Sequence, residues 1–218
     1  MPPALVLSAD QQALVAAYAR TVAGLGTGPE RLWGAKAFCA RVGQPDDWIR
    51  LTVAEQCALP QRVRTFVAWL LVTGRLRASA DYLAAAPHLI GRVAAHQHPA
   101  LHATFTQTAC TLGFTPESAR RQWAAVVRVA ALHQVTPDQA TAEMLQVGRA
   151  ELEAAVARHR PGRAQEATKA LHGAQATLFH LGVVDTAPAK GARSAAVARS
   201  ARRHRHAGGG RGACLAHR

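Results

Sequence analysis

Apolar positions in this chain recur at three- and four-residue spacing, in short runs cut by Gly, Pro, Ser and Thr, and that rhythm predicts helices. Ser8 opens the first with Gln11 three places on, the pattern of a reciprocal helix cap, and Leu14, Tyr18, Val22 and Leu25 then share one face. The stretch TGPERLWGAKAFCARVG sets Pro29 in a first turn and Gly43 just beyond an end. Thr52 and Glu55 repeat the reciprocal cap. Val63, Phe66, Val67, Leu70 and Leu71 follow at helical spacing, stopped by Gly74. SADYLAAAP reads as a short capped helix ended by Pro87, and residues 99–113 as a helix from Pro99 to Gly113. Thr115 and Pro116 open a longer helix striped by Trp123, Val126, Val127 and Ala130; Thr136 and Pro137 open another the same way. Residues 149–161 and 164–182 complete the series, with Gly182 as the last stop. No segment alternates convincingly with period two, so the expected fold is all-α, a bundle of about eight to nine short capped helices. The two Thr-Pro starts form a tandem pair, with no fixed repeat that would build a solenoid.

Charge divides the chain where the helical rhythm stops. Beyond VVDTAPAKG, with Pro188 and Gly191 marking an exit, the sequence becomes Ala, Arg, Gly and His. We therefore expect a helical domain over 1–186 and a low-complexity basic tail, disordered, over 187–218. Of the net charge of +13, the tail carries +8 from eight Lys/Arg and no acid, and the body +5 from 18 basic and 13 acidic groups. Such a balance attracts a polyanion, nucleic acid first, although an anionic membrane surface responds to the same charge. Hydrophobic residues at 49% exclude global disorder, and aromatics at only 5% fit closely packed, alanine-rich helices. MPPALVLSADQQ lacks the basic start and apolar run of a signal peptide, and runs such as FVAWLLV are too short to span a bilayer. The expected protein is soluble and cytoplasmic. Cys39, Cys57, Cys110 and Cys214 lie far apart without a CxxC pair, which reads as reduced core thiols.

Catalytic chemistry finds little to stand on. His98 and His102 are four apart, the spacing of a two-histidine metal pair, with His88 and His96 nearby. No Cys, Asp or Glu lies between Asp81 and Cys110 to complete the set, so we read them as solvated or capping side chains and expect neither metal nor cofactor. There is no GxSxG, no glycine-rich phosphate loop, and no Cys-His pair in local sequence. Tyr18 and Tyr82, the only tyrosines, fall on apolar faces; Glu30, Glu55, Glu117 and Asp138 sit in first turns, where they suit the helix dipole. Arginines carry more. Arg62, Arg64, Arg75 and Arg77 bracket the apolar run FVAWLLV, and Arg120, Arg121 and Arg128 lie along the Thr115 helix. These seven are the candidate DNA contacts, to backbone phosphate and without base readout. A helix-turn-helix across 126–145 lacks a polar recognition face on its second helix.

Three segments in order, RTFVAWLLVTGRLRASADYL, LGFTPESARRQWAAVVRVAALHQVTP and ATLFHLGVVDTAP, resemble the N-terminal region of long tyrosine recombinases (phage-integrase type) of high-GC actinobacteria. The likeness covers roughly residues 30–188 through spaced Trp, Leu and glycine-bounded helices rather than a catalytic signature. It implies an amino-terminal helical part that helps clamp DNA beside a separate catalytic domain with a tyrosine nucleophile. The chain departs from that pattern: it has no His-x-x-Arg followed by a late tyrosine, and no tyrosine after Tyr82. The tail composition matches a shifted reading frame in GC-rich DNA, so a truncation scar is expected there in preference to an evolved arm. The resulting expectation is a truncated, non-catalytic recombinase fragment that holds DNA by its phosphates and takes no small-molecule substrate. The alternative is a helical assembly module that docks a partner helix or a second copy through FVAWLL or ATLFHLGVV.

Overall fold

In the computed structural model, residues 6–23, 30–86 and 89–185 are described. Among them run ten α-helices and three 3-10 turns with no strand, the all-α architecture expected. The helices are α1 (Ala9–Ala23), α2 (Glu30–Arg41), α3 (Val53–Ala58), α4 (Gln61–Val72), α5 (Ala80–Ala85), α6 (Leu89–Gln97), α7 (Pro99–Thr111), α8 (Pro116–Leu132), α9 (Ala142–His159) and α10 (Ala164–His180). The basic tail, Leu25, Pro29, Pro87, His88 and Cys214 lie outside the described residues.

Local chemistry explains most boundaries. Ser8 accepts from the Gln11 N–H while the Gln11 side chain accepts from the Ser8 N–H, and Thr52 and Glu55 make the same exchange. Thr115 caps α8 by accepting from Ser118 N–H, and Ser79 caps α5 through Tyr82 N–H. At the other ends Gly43, Gly74, Gly113 and Gly182 all take the left-handed conformation that lets a helix turn off.

Two expected boundaries move. Thr136–Pro137 opens only a 3-10 turn, Pro137–Gln139, and α9 starts at Ala142, capped by Thr141, whose hydroxyl accepts from Met144 N–H. That helix then runs straight through Gly148 and takes in most of the segment 149–161 expected as a separate helix. A Cβ on Gly148 would lie 3.1 Å from Val129 Cγ1, so the glycine lets α9 lie close on α8. Neither α6 nor the 3-10 turn Pro45–Arg50, which drives Trp48 into the core, was expected.

α4 and α8 form the centre. Every residue from Phe66 to Val72 is buried, and α4 packs on α2, α6 and α8. α8 buries ten of its seventeen residues against α4, α6, α7, α9 and α10. Tyr18, Phe38, Trp48, Phe66, Trp69 and Tyr82 link ring to ring at one end, and Phe105 and Trp123 at the other. Both tyrosines are therefore core residues. One buried polar pair joins α8 to α10: Thr177 Oγ1 lies 3.0 Å from Gln122 Oε1, with Gly173 leaving room for the Gln122 amide. Cys39 is buried, and burial pushes its thiol up; Cys57 is half-buried and Cys110 exposed, so among the described residues only Cys39 is the core thiol expected. Cys110 falls on the outer face of α7, whose inner face is held by Phe105 and Ala109.

Candidate functional site

A cleft of about 670 Å³ opens where α5, α6, α7, α8, α9, α10 and the α9–α10 link meet. Its position follows from small residues: a Cβ on Gly91 would lie 3.0 Å from Ala124 Cβ, so α6 comes close to α8 and leaves room beside it. Six arginines line the cleft, from three stretches of chain: Arg92 on α6, Arg120, Arg121 and Arg128 on α8, and Arg160 and Arg163 in the link between α9 and α10. Two glutamates, Glu117 and Glu166, accompany them, and Leu83, Ala84 and Val156 supply an apolar wall.

The arginines differ in their settings. Arg92, Arg120, Arg121 and Arg163 are exposed, whereas Arg128 and Arg160 are half-buried and form the inner part of the cleft. At the rim, Glu117 holds Arg120 at 2.6 Å and Arg121 at 3.1 Å, with Glu166 4.0 Å from Arg121. Exposed pairs of this kind are worth little to stability and leave the cations available to a ligand. Arg160 is positioned by donating from Nη2 to the Ala85 carbonyl at 3.0 Å. Arg128 is the most enclosed. Burial, then the like charge of Arg160, pull it down to about 10, so it stays protonated at neutral pH. His102 packs edge-on to Trp123 with ring centroids 5.4 Å apart, and burial lowers its pKa, keeping it neutral at pH 7. Six cations less two carboxylates leave a net of four positive charges.

The seven arginines singled out from sequence divide between two places. Arg120, Arg121 and Arg128 meet in the cleft. The other four do not join them: two sit in the first turn of α4 and two beyond its last, about 20 Å apart by helical rise. Arg64 donates to Gln61 at 2.8 Å, Arg75 lies over the Trp69 ring at 5.5 Å, and Arg77 donates to the Leu132 carbonyl at 3.0 Å. These are structural engagements. Sequence reasoning missed Arg92, because α6 itself went unread, and Arg160 and Arg163, although RHRPGR around Pro161 offered a visible signal.

Elsewhere the alternatives thin out. His98 faces Asp138 at 3.9 Å while His102 turns to Trp123, so the two histidines diverge, and among the described residues no three His, Cys, Asp or Glu gather as a metal site. Among those residues no helix is long and apolar enough to cross a membrane. The second helix of the supposed helix-turn-helix buries Leu145, Leu152, Ala155 and Val156. FVAWLL is wholly core and presents no partner face; of ATLFHLGVV, Phe179 and Val183 are exposed. No protein-family model, curated protein or solved structure matches the chain.

Proposed function

We propose that this chain is a non-catalytic DNA-binding module of the tyrosine-recombinase type, holding the DNA backbone by its phosphates at the arginine cleft. The convergence of six arginines from three separate stretches carries the reading. Guanidinium forks pair with phosphate oxygens bidentately, and a concave cationic wall follows a backbone better than scattered surface charges do. Strand cleavage is not assigned to it, since both tyrosines are enclosed in the core and burial pushes the Tyr82 hydroxyl far from ionisation.

The test is the salt dependence of duplex binding, followed by fluorescence anisotropy. Four net charges correspond to a slope of about −3.6 in log K against log salt from the cleft alone, about 10²-fold between roughly 50 and 200 mM. Replacing the exposed Arg120 and Arg163 together by glutamine should flatten the measured slope by about 2. The tail's charge is common to both proteins and cancels in that difference. Arg75→Gln, outside the cleft, should leave the slope unchanged. An Arg120→Gln/Arg163→Gln protein with the parent slope removes the cleft from the interface.

The assembly-module reading stands second, carried by the exposure of Trp33 at 51% and Ile49 at 75%. Sedimentation with and without duplex separates the two, since a dimer indifferent to DNA belongs to the second.

A further inference from the structure

The cleft has more structure than a phosphate-backbone surface requires. Four of its arginines are exposed at the rim, where two carboxylates attend Arg120 and Arg121, while Arg128 and Arg160 lie further in. The inner pair adjoins an apolar wall built from Leu83, Ala84 and Val156. A phosphodiester within a continuous strand bears one negative charge and a sugar on each side. Seating it between two recessed guanidiniums would set one negative charge against two positive ones and drag both sugars into the recess. A terminal phosphate has neither problem: its dianion, with a second pKa near 6, matches two guanidiniums, and only one side carries an organic body. The volume of about 670 Å³ lies within the range of small-molecule sites.

We propose that Arg128 and Arg160 form a subsite for a phosphomonoester dianion, with its organic body lying along the apolar wall of Leu83, Ala84 and Val156. It occupies the cleft assigned above to DNA but does not depend on duplex binding, and its failure is separable from the failure of that reading. Two sources present this chemistry: the phosphorylated end of a strand and a free mononucleotide.

One short single-stranded oligonucleotide is prepared with a 5′-phosphate and with a 5′-hydroxyl, and both are titrated onto the unaltered chain at fixed salt. AMP, with adenosine as its uncharged control, serves as competitor. The 5′-phosphate should tighten binding by about tenfold, more than a single extra charge gives at an exposed site. If AMP alone displaces the phosphorylated strand at concentrations where adenosine does not, the free nucleotide is a source. If only the phosphorylated strand binds tightly, the strand end is. Arg160→Gln should abolish the preference, as should Arg128→Lys, which keeps the charge but loses the fork. Melting curves establish that each variant folds, and the comparison of ligands on the unaltered chain needs no variant at all. Equal affinity for the two strands with no competition by AMP overturns the subsite, and salt-dependent duplex binding would then stand without it. A preference that survives in both folded variants overturns its location. AMP competing while duplex fails to bind keeps the subsite and removes the DNA reading.

Discussion

Replacing Gly34 by alanine should reverse the usual sign of that substitution. In a helix interior, exchanging Gly for Ala is worth about 1 kcal/mol of stabilisation. At Gly34 the new Cβ would meet backbone of α4: the Arg62 carbonyl oxygen at clashing distance, its carbon at 2.8 Å and the Val63 nitrogen at 3.3 Å. None of these atoms can swing aside as a flexible side chain would. Restoring ordinary contact means parting α2 from α4 by about 1 Å, which opens gaps along a packed seam. Phe38 and Phe66 meet along that seam with ring centroids 5.3 Å apart. Overpacking of this kind costs about 1–3 kcal/mol, and unyielding backbone puts this site at or beyond the upper end. After the helix-propensity gain, a net loss of about 2 kcal/mol remains. For a body this long, that lowers the melting temperature by about 4–8 °C. Urea unfolding followed by far-UV circular dichroism, with calorimetry for the midpoint, measures both. Gly162→Ala is the control, because a Cβ there meets nothing within 4 Å, and it should shift stability by less than about 1 kcal/mol. A Gly34→Ala protein as stable as the parent, or more so, would refute the close helix crossing.

Thr177→Val keeps the shape of a buried side chain but leaves Gln122 Oε1 without the hydroxyl 3.0 Å away, and should cost about 2 kcal/mol in urea unfolding. Asp81 ties α5 to the end of α9: Arg158 donates to it at 2.7 Å and His159 lies 3.0 Å away. The Arg158 hydrogen bond, with a smaller one from His159, holds the Asp81 carboxyl below its usual range. A depressed carboxylate stabilises fully above the ordinary value of about 4 and loses that contribution as pH falls through the folded value. Asp81→Asn should therefore be less stable than the parent by about 0.5 kcal/mol at neutral pH, discounted for exposure, and the gap should close in acid. A gap that stays constant down to about pH 2 would show that the carboxylate is not its source.

The helices could be read in advance because their punctuation is local. A Ser8–Gln11 or Thr52–Glu55 cap needs only four residues, and a glycine stop such as Gly74 needs only the turn it closes. The join of the Thr136 and 149–161 segments into one helix went unread because the role of Gly148 is set by Val129 on another helix, and nothing nearby in sequence distinguishes close approach from termination. The Pro45–Arg50 turn was hidden for a similar reason: PDDWIR is polar but for Trp48 and Ile49, and the destination of Trp48 depends on Phe38 and Tyr82. The cleft was half legible. Arg120, Arg121 and Arg128 share one helix, so periodicity finds them, whereas Arg92, Arg160 and Arg163 reach them only through tertiary packing. Arg75 and Arg77 looked equally cationic, and their engagements with Trp69 and Leu132 appear only in three dimensions.

α8 presents Trp123, Val126 and Ala130 to the interior and Glu117, Arg121 and Arg128 to the cleft, so one rod serves both. An anion seated there would be held by a helix at the centre of the core, not by a detachable appendage. Occupancy must then register as resistance to heat: a ligand at 100 times its dissociation constant adds about 2.7 kcal/mol to the unfolding free energy. A panel of unlabelled phosphates could thus be ranked by thermal shift alone, with the unfolding of the whole body as the reporter.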